Sequence, residues 1–76
     1  MKIYKDKEYI CTIDFQSYGQ EIKEGHVIVP LSLSHSTQYE MTSTEVFYKY
    51  AQYKEPEKYG IPLNIFMACF EQVEGL

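Results

Sequence analysis

No arginine occurs among the 76 residues, and all seven basic side chains are lysine. Bidentate pairing with phosphate, carboxylate or guanine is what arginine does best, so a sequence-reading nucleic-acid binder and an arginine phosphate clamp are both disfavoured. The formal net charge of −4 acts in the same direction, because affinity for a polyanion comes largely from cations that displace its counterions. Glycine is scarce as well, and four scattered residues do not make a phosphate-cradling loop. No apolar run approaches the length of a membrane span. The opening Met1-Lys2-Ile3-Tyr4-Lys5-Asp6-Lys7 has no hydrophobic segment of the signal-peptide kind, so the expected location is cytoplasmic, away from membranes.

Cysteine is confined to Cys11 and Cys69, each with apolar neighbours, and in a reducing compartment such residues read as buried thiols. With His26 and His35 they would satisfy a Cys₂His₂ zinc stoichiometry. The paired Cys or His spacing that marks such sites is missing, so a small zinc or thiol protein built on these four residues is an alternative only. Ser34-His35-Ser36 lacks a Gly-x-Ser-x-Gly surround and reads as a polar turn. The carboxylate pairs among Glu21, Glu24, Glu55, Glu57, Glu71 and Glu74 read as solvated surface charge rather than general acid-base pairs. No catalytic residue, cofactor or metal is therefore expected, and the chain is read as non-enzymatic.

What the chain does have is tyrosine, at eight positions against no tryptophan. A large apolar ring with a polar tip suits both sheet faces and the half-wet surfaces where partners dock. The length allows one domain, residues 1–76, because two smaller pieces would each fall below the size of a viable unaided core.

Period-two alternation from Glu8 to Gln16 puts Tyr9, Cys11, Ile13 and Phe15 on one face of an expected strand. Ile3-Tyr4-Lys5 is short and strand-like, and a turn at Asp6-Lys7 would set Tyr4 opposite Tyr9. Gln16 to Gly25 reads as a polar loop. Val27, Val29, Leu31 and Leu33 alternate in the next strand, which Pro30 places at an edge or breaks. Thr37, Tyr39 and Met41 could alternate as a fourth strand. The spacing Glu21-Ile22-Lys23-Glu24-Gly25-His26-Val27-Ile28 resembles the turn-and-strand unit of lipoyl-type and SH3-like β-barrels. It covers only about eight residues, and no lysine stands where a lipoyl acceptor would.

Thr42-Ser43-Thr44-Glu45 matches a capping box, so a helix is expected over about 43–54, with Val46, Phe47, Tyr50, Ala51 and Lys54 at helical spacing and Pro56 as its stop. The aromatic run also suits a strand. A second helix is expected over about 62–74, between Pro62 and Gly75, with Leu63, Phe66, Met67, Phe70 and Val73 on one face. Ile65 and Cys69 flank that stripe and are left to pack on the first helix or on a second subunit. The expected fold is thus α+β, a small antiparallel sheet of three or four strands from the N-terminal half covered by one or two helices. The alternative is a small SH3-like or open β-barrel.

For function, the composition points to a protein-binding module or stoichiometric inhibitor that offers an acidic, Tyr-rich surface to a basic partner. Tyr48, Tyr53, Glu55, Glu57, Tyr59, Glu71 and Glu74 are the candidate contact residues. A homodimer is compatible with this reading, and nucleic acid is a disfavoured partner. The second alternative is a nucleic-acid-binding β-module that stacks bases on exposed tyrosines.

Overall fold

The computed structural model of the chain describes residues 3–17, 19–38 and 41–73, and the side chains of these except 36–38 and 41–43. Among the described residues, seven strands and one short helix follow in order: β1 (Tyr9–Cys11), β2 (Phe15–Ser17), β3 (Gln20–Ile22), β4 (Val27–Gln38), β5 (Met41–Tyr50), β6 (Ile61–Pro62), α1 (Leu63–Cys69) and β7 (Phe70–Gln72). Five strands form one antiparallel sheet in the order β6-β5-β4-β1-β7, and β2 and β3 form a separate hairpin. The described residues are mostly β with one helix. Its sheet is open, with β6 and β7 at opposite edges.

The expected helix over 43–54 is a strand. Residues 41–50 pair with β4 from Gln38↔Met41 to Ile28↔Tyr50. Thr44, placed by the sequence inside a capping box, instead has its hydroxyl 2.8 Å from the His35 ring nitrogen Nδ1 across the ladder. The physical reason is the run of β-branched and aromatic residues. In an extended backbone Val46 and Tyr48 fall together on the face that packs against the core, both fully buried. Helical spacing would have scattered them. Local capping chemistry lost to a long-range pairing that buries more.

The expected helix over 62–74 is shorter, because only 63–69 are helical and Phe70 turns extended at φ −125°, ψ 145°. Strand formation takes over there, since Phe70 pairs with Cys11 and Gln72 with Tyr9. Phe66 is fully buried and Leu63 and Ile65 pack against the core, whereas Met67 is exposed and so is Val73. The sheet therefore draws on both halves of the chain, correcting the expectation that the N-terminal half builds it alone.

The single strand expected over Glu8–Gln16 is split. Thr12 breaks it by donating both its N–H and its hydroxyl to the Cys69 carbonyl, at 2.7 and 3.1 Å. Ile13 is left exposed, and Phe15 begins the β2–β3 hairpin in what was expected to be a loop. Gly19 takes φ +79° in the turn of that hairpin. No strand is present at Ile3–Lys5. Rather than facing Tyr9 across a ladder, Tyr4 donates its N–H to the Tyr9 hydroxyl at 2.8 Å. As Pro30 implied, β4 slips register between Pro30 and Ser32.

The core is one cluster joining Tyr9, Cys11, Ile22, Ile28, Val46, Tyr48, Ile61, Phe66, Cys69 and Phe70. Tyr9 meets Phe66 at 5.1 Å between ring centroids, Phe66 stacks on Phe70 at 5.1 Å, and Phe15 from the hairpin meets Phe70 edge-on at 5.7 Å. These contacts clamp α1 and the hairpin onto one side of the sheet. Removing a fully buried ring of this kind costs about 3–5 kcal/mol.

Candidate functional site

A groove of about 540 Å³ opens where the start of β4 meets the end of β5, lined by Glu8, Gly25, His26, Val27, Tyr50, Ala51, Gln52 and Tyr53. Two tight turns build it. The first runs Lys23-Glu24-Gly25-His26, closed by the His26 N–H to the Lys23 carbonyl at 3.1 Å, with Gly25 at φ +95°. A side chain at such a φ is strained, so glycine fits the position. The turn is held from below by the Glu24 N–H to Asp14 Oδ1 at 2.6 Å and by ion pairs of Lys23 with Glu21 and Asp14. Hydrogen bonding by Glu21 raises the Lys23 pKa further above its ordinary value.

The second turn ends β5, where the Tyr53 N–H donates to the Tyr50 carbonyl at 3.0 Å and the Ala51 N–H reaches the Val27 carbonyl at 3.0 Å. Tyr50 thereby becomes the centre of an aromatic cluster. His26, Tyr48 and Tyr53 each meet its ring nearly edge-on, at centroid distances of 5.7, 5.8 and 6.2 Å. Burial raises the Tyr50 phenol pKa, and the negative field of Glu57 adds to it. The groove thus presents aromatic surface together with Glu8, the one carboxylate that lines it among the described residues.

The candidate contact residues are only partly brought together. Tyr53, Glu55, Glu57 and Tyr59 share the connector between β5 and β6 and lie at the surface, Glu57 half-buried. Tyr48 is fully buried and leaves the set; its hydroxyl faces Gln20, and its ring belongs to the core. The reason is the strand: the helix had put Tyr48 outward, whereas alternation puts it inward with Val46. Glu71 sits exposed on β7, which is separated from β5 by β4 and β1, about 14 Å at ordinary strand spacing. Glu74 lies outside the described residues.

The connector is also less acidic than its glutamates suggest, because Lys54 and Lys58 flank Glu55 and Glu57 on either side. Lys58 places its ammonium 5.4 Å from the centroid of the Tyr59 ring, a cation–π contact within the chain itself. Sequence reasoning missed Glu8, Tyr50 and Gln52 as groove residues and considered His26 only as part of a zinc or thiol site. No local signal marks them, because they meet only once β4 and β5 pair.

Cys11 and Cys69 are both buried free thiols on neighbouring segments, and the Cys11 thiol lies 3.1 Å from the Ile13 carbonyl. Burial raises the Cys11 pKa, which keeps it protonated and a poor nucleophile. His26 lies in the groove and His35 on the far part of β4, so the two imidazoles do not converge on the thiols. Among the described residues no three His, Cys, Asp or Glu side chains gather as a metal site would require. No helix among them is long and apolar enough to cross a membrane.

Comparison with protein-family models, with curated proteins and with solved structures finds no match to this chain.

Proposed function

We propose that the chain is a non-enzymatic protein-binding module, acting as a stoichiometric ligand or inhibitor of a partner that offers a basic segment. The groove carries this reading: a hollow of about 540 Å³ with tyrosine and histidine rings on its walls and Glu8 as the carboxylate among its described lining residues. A lysine side chain suits such a place. Its aliphatic stem packs along Val27 and Ala51, while its ammonium meets the Glu8 carboxylate and the tyrosine rings. Tyr53, Glu55, Glu57 and Tyr59 on the adjoining connector extend the surface, and the overall charge of −4 favours encounter with a cationic partner. The location that goes with this reading is the cytoplasm.

A finer reading of the fold is also proposed, that of an open SH3-like arrangement. A hairpin follows the first strand, a short helix precedes the last, and the last strand returns to pair with the first.

Titration of the protein with a lysine-rich peptide and with a matched glutamate-rich peptide, followed by amide chemical shifts, tests the function. Shifts confined to Glu8, His26, Tyr50, Tyr53 and their neighbours are expected for the lysine peptide, fading as salt is raised. Equal response to both peptides, or none to either, would overturn the proposal.

A further inference from the structure

Among the described residues, the longest stretch of strand without a third strand beside it is the outer half of the β4–β5 ribbon. On one side β6 pairs with β5 only at Glu45 and Val46. On the other, β1 pairs with β4 only at Val27 and Ile28, and the N-terminal segment adds a bond from the Asp6 N–H to the Pro30 carbonyl. Beyond Ser34 the two strands continue to Gln38↔Met41 with no third strand beside them among the described residues. A bare two-stranded ribbon is marginally stable in water, and an open edge invites another strand.

The register shows which groups that edge presents. The Ala51 N–H bonds the Val27 carbonyl, which sets the alternation of the ladder. Carried across the one-residue slip at Pro30/Ser32, it turns the N–H and C=O groups of Ser32, Ser34, Ser36 and Gln38 toward β5. Those of Leu33, His35 and Thr37 therefore face outward. Three outward residues at alternate positions are self-complementary in an antiparallel sense. With His35 opposite its own copy, Leu33 meets Thr37 and Thr37 meets Leu33, exchanging about six backbone hydrogen bonds.

Charge identifies the occupant. Edges are ordinarily protected by lysine or other charges, yet no Asp, Glu, Lys or Arg occurs from Gly25 to Tyr39 in a chain that has 18 such residues elsewhere. A chain of net charge −4 repels its copy over most of its surface, and this uncharged edge is where two copies approach without like-charge cost. Leu33, 52% exposed although it shares the core-facing side with Val46, would then be partly covered. We propose that two copies of this chain associate by pairing the outer halves of their β4 strands antiparallel about His35, giving a sheet that is continuous across a two-fold axis. This pairing is independent of the groove at the opposite end of β4.

Sedimentation and light scattering of the full chain across a wide concentration range test it. A closed dimer is expected in exchange with monomer. His35→Pro removes an outward N–H and leaves the backbone hydrogen bonds to β5 in place, although it also deletes the side-chain contact with Thr44, so it raises the dimer dissociation constant at least about tenfold while the circular dichroism of the monomer is kept. Leu33→Lys, which puts charge on the same edge, is expected to act likewise without any proline. The proposal is overturned if the wild type stays monomeric up to millimolar concentration, if both variants dimerise as well as the wild type, or if the association continues into open-ended polymers.

Discussion

The hydroxyl of Tyr48 donates to the side-chain carbonyl of Gln20 at 3.1 Å, tying the small β2–β3 hairpin to the main sheet. The Gln20 amide nitrogen in turn lies 3.4 Å from Glu57, so one side chain links the core, the hairpin and the connector beside the groove. Tyr48→Phe keeps the ring and deletes the link. A loss of about 1 kcal/mol is expected, seen as a lower urea midpoint with unchanged slope. Tyr48→Ala also empties the ring's place in the core and costs about 3–5 kcal/mol. Equal stability of the phenylalanine variant and the wild type would show that the bond to Gln20 carries no net stabilisation.

Alkaline pH reaches the same tyrosines by a different route. Burial raises the pKa of Tyr48 and of Tyr50, and Tyr50 and Glu57 each add to the effect at Tyr48 by disfavouring its anion. Both phenols bind their protons more tightly folded than unfolded. Their neutral forms therefore contribute stability that is fully present below the ordinary tyrosine pKa of about 10 and is lost as pH climbs above it. In a phenolate absorbance titration, part of the signal from the eight tyrosines is expected to emerge only together with unfolding above about pH 10. A smooth titration of every phenol with the fold intact would contradict this.

How much of this was legible beforehand depended on whether local and long-range signals agreed. At Tyr9 and Cys11 they did: alternation placed both inward, and both are buried. Pro30 marked the slip in β4 because a missing N–H is a local fact with a local consequence. At Thr44-Glu45 the signals conflicted. A capping box is read from four adjacent residues, whereas the winning interaction lies across a ladder with Ser34 and His35 that no short window displays. The same blindness hid the groove. Glu8, His26 and Tyr53 are far apart in sequence and become neighbours only through the β1–β4 and β4–β5 pairings. The expected helix over about 43–54 already put Tyr53 outward, and it is exposed in the connector that follows β5, so its exposure survives the change from helix to strand.

Buried thiols make a further expectation. Cys11 and Cys69 are covered by the core, which hides both from reagent, and burial raises the pKa of Cys11, so little Cys11 thiolate is available at neutral pH. Reaction with an aromatic disulfide reagent is expected to be slow in buffer, at a rate that follows opening of the fold, and fast for both thiols in denaturant. Rapid modification of either thiol in the native protein would show that the β1–α1 junction opens far more readily than its packing implies.

Gly60 is expected to be intolerant of a methyl group for steric reasons alone. A Cβ there would sit 3.0 Å from Glu45 Cβ and 3.2 Å from the Val46 carbonyl oxygen, and the second of these is backbone of a central strand that cannot step aside. Gly60→Ala should lose about 1–3 kcal/mol, read as a lower thermal midpoint. The hollow around Gly19 is empty by comparison, so Gly19→Ala meets only the strain of its positive φ, about 1–2 kcal/mol.

Tyr53 and Tyr59 separate the proposed binding role from stability. Both are exposed, at 57% and 45%, so alanine at either place should change unfolding free energy by no more than about 0.5 kcal/mol. Their consequences for a lysine-rich ligand differ. Tyr53 lines the groove, whereas the Tyr59 ring already carries the Lys58 ammonium 5.4 Å from its centroid, in competition with any incoming cation. Tyr53→Ala is expected to weaken the lysine peptide about tenfold, the equivalent of about 1.4 kcal/mol, and Tyr59→Ala less than about twofold. Removal of Lys58 by Lys58→Ala should then strengthen binding slightly by releasing the ring. If Tyr53→Ala and Tyr59→Ala weaken the peptide equally, the ligand lies along the whole connector rather than in the groove; if neither does, the tyrosines serve the fold alone.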